Sequence, residues 1–129
     1  MPNIEVNGHN FHYLEIEGEQ PAVLMLCSTG LDSRQWRDML PLIEGRRIVC
    51  PHYLCYPKSG NWKGEGDIDS WTDYLAAESL LLKEDGQVDI LGHSYGGFIG
   101  LMLAVNLSLI HISEPTRRYA ISYAVFCLK

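Results

Sequence analysis

The chain has 129 residues, 47% hydrophobic and 20% charged, with 10 Lys+Arg against 16 Asp+Glu for a formal charge of −6. That balance fits one globular domain around a single core. It excludes a long disordered chain, which could not bury enough apolar surface to offset its ordering. An acidic chain also lacks the electrostatic footprint for phosphate backbones, so nucleic acid is not an expected partner.

The first residues, Met1-Pro2-Asn3-Ile4-Glu5, carry neither the basic n-region nor the apolar h-region of a secretory signal. Ile4-Glu5-Val6 alternates, Asn7-Gly8 is a strong turn signal, and residues 11–16 alternate again, which is a β-hairpin pattern. His9 at the turn and His12 in the second strand are expected to be exposed. Residues 17–21, Glu-Gly-Glu-Gln-Pro, read as a polar loop. The unbroken apolar run at 22–27 suits a strand covered on both faces, as in a parallel sheet.

Residues 28–33 form a small-residue turn, and a helix is expected after it. Asp32 or Ser33 can cap that helix, and Trp36, Met39, Leu40 and Ile43 recur at helical spacing. Pro41 makes its last turn irregular. Residues 47–50 read as the next strand, stopped by Pro51, and the Gly, Lys and Ser of 57–66 mark a loop. Ser70-Trp71-Thr72-Asp73 resembles a capping box with Asp in place of Glu. Trp71, Tyr74, Leu75, Leu81 and Leu82 would share one face of the helix that follows, with Glu78 in its middle. Asp85-Gly86 ends it. Residues 88–91 are the last expected strand, and 97–105 an apolar, buried helix. A hairpin followed by β-α-β-α-β-α belongs to the α/β class, a mostly parallel sheet with helices on both faces.

No apolar run is long enough to span a bilayer, and no basic amphipathic helix suggests a membrane surface. Cys27, Cys50, Cys55 and Cys127 show neither a C-x-x-C pair nor zinc-ligand spacing. They are expected to be reduced, mostly buried thiols of a cytoplasmic protein. Cys50 and Cys55 would pair only in an oxidising compartment.

Between the last strand and its helix stands Gly92-His93-Ser94-Tyr95-Gly96-Gly97, a match to G-x-S-x-G. Composition alone predicts about 0.08 such matches in a chain of this make-up. The strand-to-helix placement is what the chemistry needs: a serine on a sharp turn, its hydroxyl clear of the sheet, at a helix N-terminus that favours a developing oxyanion.

With these features the chain resembles the α/β-hydrolase family over residues 4 to about 106: the hairpin, the apolar third strand, the small-residue loop and the G-H-S-x-G-G elbow. The resemblance implies that Ser94 is the nucleophile and that the Tyr95 backbone N–H is one oxyanion donor. It places the second donor in the loop after the third strand, where many relatives carry His-Gly. Here that loop reads Thr29-Gly30-Leu31, so the Leu31 N–H is the candidate donor, with Gly30 a candidate substrate contact. The loop after the next strand commonly reads P-D-x-x-G-x-G-x-S. In this chain 51–59 read Pro-His-Tyr-Leu-Cys-Tyr-Pro-Lys-Ser, and the departures at His52, Cys55 and Pro57 mark a divergent subfamily. His52, at a strand's C-terminal end, is a candidate to touch substrate or to order a loop.

A serine hydroxyl needs a base, and the base an orienting carboxylate, in the chain order Ser, Asp/Glu, His for this family. Downstream of Ser94 stand only His111 and Glu114, in the reverse order, so neither is expected to serve. Alternation points His93 away from the Ser94 hydroxyl and makes it a packing residue. Trp36, Trp62 and Trp71 read as core or lid packing.

The implied chemistry is acyl transfer from a carboxylic ester, lactone or thioester to Ser94 and then to water. It requires a small-molecule substrate and no metal or organic cofactor, and it leaves the oligomeric state open. Two alternatives remain: a peroxidase, lyase or C–C hydrolase relative on the same scaffold, and a non-catalytic hydrolase-like ligand-binding protein. Ser94 disfavours the dehalogenase branch, which uses Asp there.

Residues 107–129 read differently. They resemble a forward translation of a transposon-type sequencing-library adapter, whose fixed codons match Leu107 through Arg117 and Ile121 through Leu128, with a variable index supplying Arg118, Tyr119 and Ala120. The expectation is therefore an incomplete α/β-hydrolase fold: 1–106 as the N-terminal part of the domain and 107–129 as a non-native tail. The chain as written should show little or no hydrolysis, and its unpaired sheet edge should favour aggregation.

Overall fold

Asn7 and Gly8 both take positive φ, 50° and 78°, the turn geometry that matches strand twist in a two-residue hairpin. They join β1 (Asn3–Val6) to β2 (His9–Ile16), paired antiparallel from Asn3↔His12 to Val6↔His9. The computed structural model describes residues 2–28, 30–53, 70–84, 86–113 and 121–126, and the side chains of 2–28, 30–53, 71–84 and 86–106 among them. Among the described residues four further strands join the sheet: β3 (Glu19–Leu26), β4 (Arg46–Pro51), β5 (Val88–His93) and β6 (Ile121–Phe126). Their order is β1-β2-β4-β3-β5-β6. The β4–β3, β3–β5 and β5–β6 pairings are parallel, and β2 runs antiparallel to β4.

The apolar run of β3 sits at the sheet centre, and its side chains alternate between two cores. Leu24 and Leu26 join Tyr13, Val49, Val88 and Ile90 beneath two helices, α1 (Ser70–Leu82) and α2 (Tyr95–Ser113). Val23, Met25 and Cys27 face the other way, with Ile48, Cys50, Trp36 and Tyr53. Both faces are thus covered, as the unbroken run requires.

That second face is covered by two 3₁₀ turns, Ser33–Trp36 and Leu40–Ile43, where the sequence suggested one α-helix. Pro41 supplies the reason. It has no N–H to offer the Arg37 carbonyl and its ring crowds that carbonyl, so one α-helix cannot run through to Ile43, whereas proline suits the first positions of the second 3₁₀ turn. The side chains at that spacing do face inward: Trp36 is buried, and Met39, Leu40 and Ile43 pack against the same core.

Three other expectations are corrected. Glu19, Gln20 and Pro21 belong to β3 rather than to a loop, at a register shift between Glu19 and Val23. Proline is tolerated at such an irregularity, and the Gln20 side chain accepts the Ala22 N–H at 3.0 Å. On α1 the buried face is Thr72, Asp73, Tyr74, Ala76, Ala77, Leu80 and Leu81, whereas Trp71 and Leu82 are exposed. Glu78 is satisfied within the helix by the Tyr74 hydroxyl. His9 and His12 are buried, because β2 lies between β1 and β4 instead of at an edge.

The helix read at 97–105 extends from Tyr95 to Ser113, past the expected boundary at 106. β6 then covers the outer edge of β5 in parallel register, from Val88↔Ile121 to His93↔Phe126. Among the described residues no helix is long and apolar enough to cross a membrane.

Candidate functional site

Ser94 stands between the end of β5 and the start of α2 with φ +56°. Non-glycine residues seldom adopt this region, and it is costly where they do. The flanking glycines make the turn possible. A Cβ on Gly92 would lie 2.6 Å from the Gly96 carbonyl oxygen, and one on Gly96 would lie 2.0 Å from the Leu26 carbonyl oxygen. No other residue fits either position. The result is an exposed serine at the N-terminus of a 19-residue helix, whose first bond runs from the Phe98 N–H to the Ser94 carbonyl at 3.1 Å. The positive end of the helix dipole therefore lies at Ser94.

Tyr95, the first residue of α2, is fixed by its side chain. Its hydroxyl donates to Asp73 Oδ2 of α1 at 2.6 Å. Its ring meets the Tyr53 ring edge-on, with centroids 5.0 Å apart. The Tyr53 hydroxyl donates to the Cys27 carbonyl at 2.9 Å, and burial pushes its pKa well up. The backbone of the residue after the serine is thus tied both to α1 and to the end of β3.

The loop after β3 has its own frame. Gly30 takes φ +80°, and the Leu31 N–H donates to the Ser28 carbonyl at 3.2 Å. The candidate second oxyanion donor is therefore engaged in a turn. Asp32 caps the first 3₁₀ turn by accepting the Arg34 N–H at 2.9 Å, and it also binds the Arg34 guanidinium. These bonds hold the Asp32 carboxyl below the usual carboxylate range, against the opposing effect of burial. Gly30 and Leu31, with Asp32, Arg34, Gln35 and Arg37, line an open cavity of about 370 Å³.

His52 is buried, 4% exposed. Its Nε2 lies 2.9 Å from Ser33 Oγ, and its N–H donates to the His12 carbonyl at 2.8 Å. These contacts order the loop around Ser33. His93, expected only to pack, has a polar partner: Gln35 Nε2 lies 2.7 Å from its Nδ1. Gln35 and Tyr53 were not singled out from the sequence, and Asp73 only as a capping-box residue. Each acts through a contact at least 22 residues away, and no local pattern announces it.

Among the described residues no side chain hydrogen-bonds to Ser94 Oγ, and no group of three His, Cys, Asp or Glu could hold a metal ion. Glu114 lies outside the described residues, as do Thr29, Cys55 and Trp62. Cys27 and Cys50 are free and buried, their sulfurs 3.6 Å apart.

The sequence matches the model of the alpha/beta hydrolase family over residues 23–125. The chain belongs to that family. It is 30% identical over 105 residues to a 2-hydroxymuconate semialdehyde hydrolase of Pseudomonas sp. (strain CF600); the match covers 80% of this chain and 34% of the relative. The chain thus spans about a third of that protein's length. Among solved structures it is similar to a thioesterase domain from the curacin biosynthetic pathway, with TM-score 0.74 and 21% identity over 83% of this chain and 41% of that one. An epoxide hydrolase variant of Vigna radiata matches with TM-score 0.69 and 27% identity, over 99% of this chain and 37% of that one.

Proposed function

We propose that the protein is a serine hydrolase in which Ser94 is the nucleophile. The observation that carries this reading is the strained Ser94 backbone, at φ +56°, between two glycines with no room for a Cβ. In the proposed reaction Ser94 Oγ attacks the carbonyl carbon of an ester, lactone or thioester, a small-molecule substrate. Its proton passes to a base supplied by chain outside the described residues. The alcohol or thiol departs with a proton, leaving an acyl-serine. Water then attacks that carbon, releases the acid and restores the hydroxyl. No metal or organic cofactor takes part.

The Tyr95 N–H is the first oxyanion donor in this reading, supported by its place in the first turn of α2. Leu31 N–H is the second, and it would have to share or release its bond to Ser28. Gly30 leaves the wall of the cavity open to substrate, and His52 shapes that wall through Ser33. A cytoplasmic location accompanies the reading, supported by the two buried free thiols.

A fluorophosphonate probe tests it on the gene product. Ser94 should be labelled, and Ser94→Ala should abolish labelling. A folded protein that leaves Ser94 unlabelled would instead favour a ligand-binding protein on this scaffold. The relative named 2-hydroxymuconate semialdehyde hydrolase favours one second reading, C–C hydrolysis of a small carbonyl compound of that kind at the same serine. Turnover of that semialdehyde with no turnover of simple esters would select it.

We further propose that residues 107–129 are adapter read-through and that 1–106 is the front part of the hydrolase domain, so that the chain as written turns over little or nothing. The support is codon agreement along the tail. An independently cloned gene that retains these residues overturns it.

A further inference from the structure

We propose that Gln35 is a positioning residue that clasps the loop after β3 to the nucleophile elbow. The proposal rests on Ser94 being the nucleophile. Gln35 Oε1 accepts the Ser28 N–H at 2.9 Å, with Ser28 Oγ at 3.5 Å. Its Nε2 lies 2.7 Å from His93 Nδ1, across 58 residues of sequence. One amide therefore touches both halves of the site. Ser28 is the residue whose carbonyl takes the Leu31 N–H, and His93 is bonded directly to Ser94.

The donors and acceptors fix the chemistry. A backbone N–H can only donate, so the oxygen of the Gln35 amide must face Ser28. The amide nitrogen then faces His93 and can itself only donate. His93 Nδ1 must accept, which makes His93 neutral with its proton on Nε2. The Gln35 backbone is in turn held, since its N–H donates to the Asp32 carbonyl at 2.9 Å within the turn that Asp32 caps. A rigid donor–acceptor pair thus sets the separation between the loop that carries the candidate oxyanion donor and the strand end that carries the serine.

The clasp is tested with Gln35→Met, Gln35→Glu and His93→Phe. Nitrogen NMR of the ¹⁵N-labelled chain should show His93 Nδ1 unprotonated in the wild type. Gln35→Glu keeps an acceptor for Ser28 and replaces the donor by a second acceptor, so it should move the His93 proton to Nδ1. Gln35→Met should raise hydrogen exchange at residues 92–95 as well as at Ser28, and His93→Phe should raise it at Ser28. In the gene product Gln35→Met should slow fluorophosphonate labelling of Ser94 about tenfold or more, the scale of a small misplacement of reacting groups. A wild-type His93 protonated on Nδ1, or elbow exchange unchanged in Gln35→Met, overturns the clasp. Wild-type protein that does not label Ser94 overturns the hydrolase reading instead, and the tautomer and exchange results then decide the clasp alone.

Discussion

A Cβ on Gly96 would stand 2.0 Å from the carbonyl oxygen of Leu26 and 2.7 Å from that of Cys27. The first turn of α2 therefore meets the end of β3 backbone to backbone. This contact sets the elbow beside the loop that leaves β3, and it explains the second glycine of the G-x-S-x-G string in steric terms. Gly96→Ala forces two backbones apart, with no flexible side chain to yield. It should destabilise the chain by about 3 kcal/mol or more, the upper range for overpacking. Gly100→Ala is the control. Its Cβ would meet only the Ile90 side chain, at 3.4 Å, and Leu26 Cδ1, at 3.7 Å, while alanine gains up to about 1 kcal/mol of helix propensity. Urea midpoints check both. Equal losses in the two variants would refute the backbone-contact account.

Ser94 at φ +56° carries a backbone cost that glycine would not. Ser94→Gly should be more stable than Ser94→Ala by about 1 kcal/mol, since alanine keeps the left-handed penalty. Both variants should lose fluorophosphonate labelling. A higher urea midpoint for Ser94→Ala than for Ser94→Gly would mean that the turn is not strained.

Features set by neighbouring residues were legible in the sequence. Asn7-Gly8 announced the hairpin because both positions need positive φ. The run at 22–27 announced a strand covered on both faces, and the two facing cores bear this out. Features set at a distance were not legible. Nothing near Gln35 indicates a partner at His93. The burial of His9 and His12 depends on β4 pairing with β2, a matter of strand order rather than of alternation. The polar start of β3 misled because Gln20 bonds a neighbouring backbone N–H, which propensity does not count. On α1, the stripe drawn through Trp71 and Leu82 weighed hydrophobicity above the small residues Ala76 and Ala77, which in fact face the sheet.

Acid should weaken the frame of the loop after β3. Bonds from Arg34 hold the Asp32 carboxyl below its ordinary value of 3.8. A depressed folded-state value means that this stabilisation is complete above about pH 4 and disappears as pH falls through the folded-state value. Asp32→Asn keeps a capping oxygen but removes the charge that meets the exposed Arg34 guanidinium, so it should lower stability at pH 7 by less than about 1 kcal/mol. The gap from wild type should narrow as pH falls below 3.8. A gap that stays constant from pH 7 to pH 2 would remove Asp32 ionisation from the account.

Arg47 shows how unequal the ion pairs of one hub can be. Its guanidinium meets Glu84 at 2.5 and 3.0 Å, Glu15 at 2.8 Å and Glu17 at 3.0 Å. Glu84 and Glu15 together hold the guanidinium pKa above its ordinary range. The side chain of Glu84 is 7% exposed and that of Glu17 is 81% exposed. Water already solvates Glu17, so Glu17→Gln should change stability by less than about 0.5 kcal/mol. Arg47→Met strands a buried carboxylate and should cost about 3 kcal/mol. Arg47→Met combined with Glu84→Leu should recover most of that loss, because no charge is then left buried without a partner. Chemical denaturation of the three variants checks the ordering. A double variant no more stable than Arg47→Met would show that the geometry of the pair matters here, rather than the relief of burying Glu84 alone.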